Sequence, residues 1–349
     1  MITLDTRADI AVQGVRVAAP VRRRSGAGPS DDGHVRLGGQ GAALPVAADS
    51  PYEIAGGKLL FEGVDTGVEV DPVERPRFYD LTTSDGIPYE QLARLHGDRV
   101  LARTVVQTCM RYAAATRCRF CAIEASLEAG STTRVKTPGQ LADVAEAAVR
   151  LDGVDQMVMT TGTSHTKDRG ATYLARCVRA VVDAVPELPI QVQCEPPDDL
   201  AAIAELHEAG ATAIGIHIEA LDDDVRRRWM PGKATVTIEQ YEAAWREAVR
   251  VFGRNRVSTY LLVGLGEDPD ELVAGAGRLI DMGVYPFIVP FRPLAGTLAE
   301  HEQAPSAAQL ARVTSAVAGL LSAASMRGAD QGAGCAACGA CSALPQAGG

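Results

Sequence analysis

The chain has 349 residues, 46% of them apolar, and a formal net charge of −10, which suits one large domain or two small ones and disfavours nucleic acid or an anionic membrane as the main partner. The basic triplets Arg22-Arg23-Arg24 and Arg226-Arg227-Arg228 are isolated and read as solvated surface. With no apolar run near the roughly 20 residues of a membrane span and no secretory signal at Met1-Ile2-Thr3-Leu4, a cytoplasmic location is expected, where eight cysteines argue for metal or redox chemistry over disulfides.

In chain order, residues 1–57 read as an irregular arm of the disordered type. The stretch 22–50 is rich in Gly, Ala, Ser, Pro and Asp without a clear period and predicts at most a short hairpin or two. Residues 58–100 are expected to form an N-terminal cap, with Tyr89, Leu92 and Leu95 on one helix face. From 101 to 327 apolar β-type runs alternate with amphipathic helices. Strands are predicted at 101–108, 156–160, 190–194, 213–218, 257–263 and 286–290. The first helix starts at Thr137-Pro138, a cap followed by proline at the first helical position, and carries Leu141, Val144, Ala145, Ala148 and Val149 at helical spacing. The second places Leu174, Cys177, Val178, Val181, Val182 and Val185 on one stripe, so Cys177 reads as a core filler. The third runs from Asp198 through Ile203 and Leu206 to Gly210, and the fourth from Thr237 through Tyr241, Trp245 and Phe252 to Gly253. The fifth starts at Asp268-Pro269 and ends before Gly283, and the sixth covers 306–325.

Six strand–helix repeats with nearly continuous apolar strands predict an α/β fold whose parallel sheet is covered on both faces. A partial (βα)6 TIM-type barrel is expected, with a flat doubly wound sheet as the alternative; both collect chemistry at the C-terminal ends of the strands. Residues 328–349 form a glycine- and cysteine-rich tail. It is expected to be non-helical, and either to wrap its backbone around a metal centre or to be mobile.

Six of the eight cysteines fall in two groups. Cys109, Cys118 and Cys121 follow the first predicted strand. Three thiols cannot close a four-thiolate site, but they can hold three irons of a cubane and leave the fourth open. Cys118-x-x-Cys121 alone suits zinc or thioredoxin-like chemistry equally well. Cys335, Cys338 and Cys341 form a second metal signal, read as an auxiliary iron–sulfur cluster, a sulfur donor, a zinc site or an unpaired tail. A cluster there needs a fourth ligand. Cys194, ending the third strand, reads as packing.

On the loop 109–121 and the six repeats, the chain resembles the radical S-adenosylmethionine (radical SAM) superfamily over roughly residues 100–300. Within it the chain is most similar to the biotin synthase and lipoyl synthase branch. More narrowly, it looks like the radical SAM proteins of nitrilase gene clusters, which share the phrase Cys118-Arg-Phe-Cys-Ala-Ile-Glu124, a long first cysteine gap and a cysteine-rich tail. The usual loop is Cys-x3-Cys-x2-Cys; here the first gap is eight residues. The resemblance implies a 4Fe–4S cluster on Cys109, Cys118 and Cys121, with SAM chelated by the open iron. Reductive cleavage of SAM then gives a 5′-deoxyadenosyl radical that takes hydrogen from a small, nitrogen-containing or nitrile-related substrate. An electron donor such as flavodoxin or ferredoxin is implied, and the hard chemistry is the cofactor's.

The resemblance also assigns residues. Phe120 takes the position beside the adenine. Thr160, Thr161, Gly162 and Thr163 form the turn that meets the SAM amino group; threonine replaces the usual acid, so only a backbone role carries over. Glu219 matches the holder of the ribose hydroxyls, and Gly264, Gly266 and Glu267 match the phrase that passes the adenine. Arg228 and Lys233 are candidates for the methionine carboxylate. For the substrate, His217, Gln193, Glu195 and Arg292 sit at strand ends, and His165 follows the threonine turn. His217 either faces the substrate or is a satisfied core histidine. The runner-up function is sulfur insertion as in the biotin and lipoyl branch. A non-catalytic zinc or iron–sulfur protein is the third reading.

Overall fold

The computed structural model describes residues 2–17 and 34–348; the Arg22-Arg23-Arg24 triplet lies outside them. The chain opens with α1 (Leu4–Gln13), capped by the Thr3 side chain on the backbone N–H of Thr6. Then come β1 (Arg16–Val17), β2 (His34–Leu37), β3 (Gln40–Ala43), β4 (Tyr52–Ala55), β5 (Lys58–Phe61) and β6 (Val64–Pro72). These six strands form one sheet in the order β1-β4-β5-β6-β2-β3, antiparallel except for β1 with β4. Ile10, Leu37, Leu44, Leu59 and Val70 are buried together as its own small core. Over 2–17 and 34–57 the expected irregular arm is therefore corrected, while 18–33 lie outside the described residues; the boundary at 58 falls inside the β4–β5 hairpin. Gly38-Gly39, Gly56-Gly57 and Glu62-Gly63 all have positive φ, the conformation of two-residue hairpin turns whose twist matches that of the strands.

After α2 (Tyr89–Leu92) the main sheet begins with the hairpin β7 (Arg94–His96) and β8 (Val100–Thr104), then passes the short α3 (Ala125–Glu128). Repeats follow: α4 (Pro138–Asp152), β9 (Gln156–Thr160), α5 (Ala171–Ala184), β10 (Ile190–Gln193), α6 (Ala201–Glu208) and β11 (Ala213–Gly215). Next are α7 (Asp223–Trp229), α8 (Ile238–Phe252), β12 (Val257–Val263), α9 (Pro269–Met282), β13 (Val284–Pro290), α10 (Ala307–Ala323) and α11 (Cys335–Cys338). The strand order is β13-β12-β11-β10-β9-β8-β7, with β8 to β13 all parallel. A doubly wound sheet needs a point where strand order reverses. This order is sequential throughout, so the sheet is a curled half-barrel and the doubly wound alternative falls.

The helices start where local chemistry supplies partners for their free N–H groups. Thr137 with Gln140 and Thr237 with Gln240 form capping boxes, and Pro138 occupies a first-turn position. Asp268 accepts from two backbone N–H groups ahead of α9. Their apolar stripes, Cys177 included, bury against the sheet in one continuous core. The tail reading is corrected too: residues 335–338 make one helical turn, and Ala333, Ala336, Ala340 and Leu344 are buried.

Candidate active site

A cavity of about 480 Å³ occupies the lumen of the half-barrel. Thr104, Thr160, Gln193 and Tyr260 line it from the strands, and Phe120 and Cys121 from the first cysteine loop. Cys335, Cys338 and Cys341 line the same cavity, so Cys121 of the first group and all three tail thiols face one lumen.

The first loop is held at both ends of its long gap. Met110 N–H donates to the Thr163 carbonyl at 2.9 Å, and Cys109 N–H to Glu124 Oε1 at 3.3 Å. Between Cys109 and Cys118 the chain folds into short turns that dock on the segment after α7. Gly232 N–H donates to the Thr116 carbonyl at 2.9 Å, the Gly232 carbonyl accepts from Arg111, and Arg119 N–H donates to the Trp229 carbonyl at 2.8 Å. Cys121 N–H closes back on the Cys118 carbonyl at 3.0 Å. Gly162 admits no side chain, because an added Cβ would lie 2.2 Å from the Thr108 carbonyl oxygen.

Cys121 lies within electrostatic reach of both Cys109 and Cys118. Burial, opposed by a hydrogen bond from the Ile123 backbone and aided by Cys109, pushes the Cys121 thiol up to about 11. Burial likewise drives Cys118 well up, and Cys121 adds to that, while Lys233 pulls down both. Such a set holds its protons unless cationic metal replaces them. Lys233 spans both carboxylate oxygens of Glu219 at 2.6 and 2.7 Å, each side chain only 12% exposed. Burial works against its ammonium, and the Glu219 carboxylate overcomes that and raises it. Glu219 sits at φ +67°, a conformation costly for a residue with a Cβ, where β11 leaves the sheet beside Tyr260 and Leu262.

The other candidates divide. His217 stacks on Tyr260 at 4.1 Å with rings 7° from parallel, accepts the Tyr260 N–H on Nδ1 at 3.2 Å, and leaves a buried Nε2 without a partner among the described residues. Burial, then Lys233, pushes it down to about 3. Gln193 and Arg292 line the cavity. Glu195 is tied to Arg111 at 3.1 Å and to the Thr163 hydroxyl. Cys194 is buried in the core. Arg228 and His165 are not brought to the lumen: their side chains are 63% and 62% exposed, near Glu302 and Asp168 respectively. Gly264 and Gly266 have φ of +107° and +111°, and Glu267 accepts the N–H groups of Leu221 and Asp222 at 2.6 and 2.9 Å. This phrase builds the turn against which Trp229 Nε1 donates to the Leu265 carbonyl at 2.6 Å. None of these three is among the cavity-lining residues.

Sequence reasoning missed Tyr260, Trp229, Arg111 and His96. Tyr260 alone carried a signal, as a polar aromatic alternating with Leu262 on β12. Its hydroxyl donates to Cys335 Sγ at 2.7 Å, and Gln193 Nε2 donates to the same sulfur at 3.5 Å.

The tail crosses beneath the sheet in register with chain order. Asn255, just before β12, donates to the Arg327 carbonyl at 2.9 Å, and Arg256 to the Gln331 carbonyl at 2.5 Å. Gln156, first residue of β9, accepts the Gly334 N–H at 2.8 Å. An added Cβ on Gly334 would lie 2.2 Å from the Gln191 side chain of β10. Gly97, between β7 and β8, faces Cys338 Sγ, and His96 of β7 faces Cys341 Sγ. The tail thus floors the N-terminal end of the half-barrel, while the loop 109–121 sits at the C-terminal end.

Residues 112–276 match the model of the radical SAM superfamily. Bacteriochlorophyllide c C-7(1)-hydroxylase of Chlorobaculum limnaeum is 29% identical over 136 residues, 38% of this chain and 34% of that relative. The match therefore spans 34% of the relative's length. Among solved structures, methylornithine synthase superposes over 78% of each chain with a TM-score of 0.51 and 16% identity. An FeFe-hydrogenase maturase from Carboxydothermus hydrogenoformans superposes over 64% of this chain and 50% of its own, with a TM-score of 0.49 and 16% identity. The likeness to methylornithine synthase is one of fold. Among the described residues no helix is long and apolar enough to cross a membrane.

Proposed function

We propose that this chain, which carries a radical SAM domain over residues 112–276, is an iron–sulfur, SAM-dependent enzyme that removes hydrogen from a small substrate held in the lumen. The observation that carries this reading is the loop 109–121, docked at the C-terminal end of β8, with Phe120 and Cys121 on the wall of the cavity. Cys109, Cys118 and Cys121 would hold a 4Fe–4S cluster. When bound, that cluster supplies the electron that splits SAM into methionine and a 5′-deoxyadenosyl radical. The chain's own work is orientation and exclusion of water. Lys233 and Glu219 offer a fixed cation and carboxylate beside the thiols, suited to the SAM carboxylate and ribose. The backbone of 160–163 offers carbonyls to its amino group, and Gly264, Gly266 and Glu267 shape the turn behind Trp229. His217, kept neutral, can orient a substrate by hydrogen bonding without bringing charge.

The phrase 118–124 and the tail support a small nitrogen-containing or nitrile-related substrate. A flavodoxin or ferredoxin is the class of donor such chemistry requires. A second reading, sulfur insertion, is favoured by one observation: Cys335, Cys338 and Cys341 line the same lumen, so a second cluster there would lie next to the substrate.

The test is direct. Anaerobically reconstituted protein, incubated with SAM and dithionite, is expected to carry about four irons at the first site and to release 5′-deoxyadenosine, and Cys118→Ser to release none. Iron-free protein that binds zinc and leaves SAM intact overturns the proposal. Loss of protein-bound sulfide during turnover would select the sulfur-inserting reading.

A further inference from the structure

The tail thiols are held in place by elements far from them in sequence. Arg7 Nη2 of α1 donates to the Ala340 carbonyl at 2.7 Å, and that carbonyl also accepts the Ala43 N–H of β3 at 2.9 Å. The Ser342 hydroxyl donates to the Ile288 carbonyl of β13 at 2.5 Å. Gly97 approaches so closely that an added Cβ would lie 3.3 Å from Cys338 Sγ, and its φ of +63° favours glycine. Into this fixed arrangement β7 brings His96, whose Nε2 lies 3.2 Å from Cys341 Sγ. His34 of β2 packs edge-on against the His96 ring at 4.7 Å, and its own buried Nε2 has no hydrogen-bond partner among the described residues. Both histidines and all three thiols line the lumen.

We propose that Cys335, Cys338, Cys341 and His96 together ligate a second iron–sulfur cluster, with His96 as the fourth ligand and His34 as the residue that sets its ring plane. Among the described residues no three His, Cys, Asp or Glu side chains close tightly enough to share one metal ion. The four are assigned to a cluster and not to a single zinc, a choice that iron analysis of the tail decides. Neutral imidazole is an accepted iron–sulfur ligand, and it raises the reduction potential relative to thiolate. A four-ligand set leaves no iron open to substrate, so this cluster differs in kind from one on Cys109, Cys118 and Cys121. Tyr260 and Gln193 donate toward Cys335, a means of tuning a cluster sulfur ligand.

The inference stands beside the SAM-cleaving reading, and the test separates them. The full-length Cys109→Ser/Cys118→Ser/Cys121→Ser variant, reconstituted with iron and sulfide without SAM, is expected to keep a cluster of two or about four irons. After dithionite reduction, pulsed EPR of this variant should show strong coupling to one histidine nitrogen that changes on 15N-histidine labelling. The coupling is expected to vanish with His96→Ala and to survive His34→Ala. His96→Cys, which keeps four ligands where the alanine variant risks misfolding, should retain the cluster with a lower midpoint potential. An iron-free triple variant, a tail cluster without histidine coupling, coupling that survives His96→Ala, or an unchanged potential in His96→Cys would each overturn the assignment. None of these bears on 5′-deoxyadenosine release by the wild type, which decides the first reading by itself.

Discussion

Gly232→Ala tests whether the eight-residue gap positions the first thiols. Gly232 has an ordinary helical φ of −72°, so alanine brings no conformational penalty there. The obstacle is packing: the new Cβ would lie 2.5 Å from the Thr116 carbonyl oxygen, inside the 3.0 Å that Cβ atoms keep. That oxygen is also the acceptor for the Gly232 N–H at 2.9 Å, so relieving the clash stretches the bond that docks the loop. Overpacking of this kind costs about 1–3 kcal/mol, and a lost hydrogen bond about 1 kcal/mol. A total of about 2–4 kcal/mol corresponds to roughly 3–5 °C in Tm for a chain of this length. Thr116 is exposed, so the loop can lift locally while the barrel stays folded. The expected signature is a modest fall in Tm with a larger fall in first-site iron and in 5′-deoxyadenosine formation, read by calorimetry, iron analysis and mass spectrometry. Gly319→Ala in α10, with open space around the added carbon, should leave both chemical readouts unchanged. Wild-type iron content and SAM cleavage in Gly232→Ala would refute the positioning argument.

Other outcomes follow from the charges near the lumen. Lys233→Met strands the buried Glu219 carboxylate and should cost about 3–5 kcal/mol; adding Glu219→Gln should recover much of it in a double-mutant cycle by urea denaturation. Burial raises the Glu267 carboxyl to about 7, so the folded chain binds this proton more readily than the unfolded one. Its contribution is complete below the ordinary carboxylate range and is lost as pH rises through about 7, a drop of up to about 3 kcal/mol. Glu267→Gln keeps an oxygen for the Leu221 and Asp222 N–H groups and should abolish that slope; parallel stability profiles for the two proteins would refute the assignment. His217 is pushed down to about 3, so it stays neutral between about pH 5 and 8, and His217→Gln should leave the shape of the pH profile of SAM cleavage unaltered over that range.

The core repeats were legible because their signals are local. Thr137-Pro138 and Asp268-Pro269 mark helix starts by their own chemistry, and 156–160 and 257–263 show strand composition within a few residues. Strand 213–218 was read too long because the chain leaves the sheet after Gly215, where the close approach of His217 and the left-handed turn at Glu219 take over. The N-terminal sheet had a local signal that composition concealed. Gly38-Gly39, Gly56-Gly57 and Glu62-Gly63 are hairpin turns between short strands, four residues each except the nine of β6, but the surrounding Gly, Pro and Ser content suggested an arm. The tail had no local signal of its order. Its anchors are Arg7, Ala43, Gln156, Gln191 and Ile288, and His96 reaches Cys341 across 245 residues. In the same way Arg111 became visible only when the fold brought Gly232 and Glu195 to it.

Sequential strand order explains why Cys121 and the tail thiols line one cavity. The half-barrel is open between β7 and β13, and its lumen is open at both ends unless something covers them. The tail leaves α10 next to β12 and β13 and runs under the starts of β12, β10, β9 and β8 to β7, with contacts at 327, 331, 334, 338 and 341 in that order. It therefore closes the floor and points its thiols into the cavity. The loop 109–121 stands at the opposite end, where the strands finish. On the two proposals above, the first cluster would stand at the mouth of the lumen and the tail cluster at its base, with His217 and Gln193 on the cavity wall. The proposed substrate layer is then Gln193 of β10, His217 just after β11 and Tyr260 of β12, which is where specificity has to be sought.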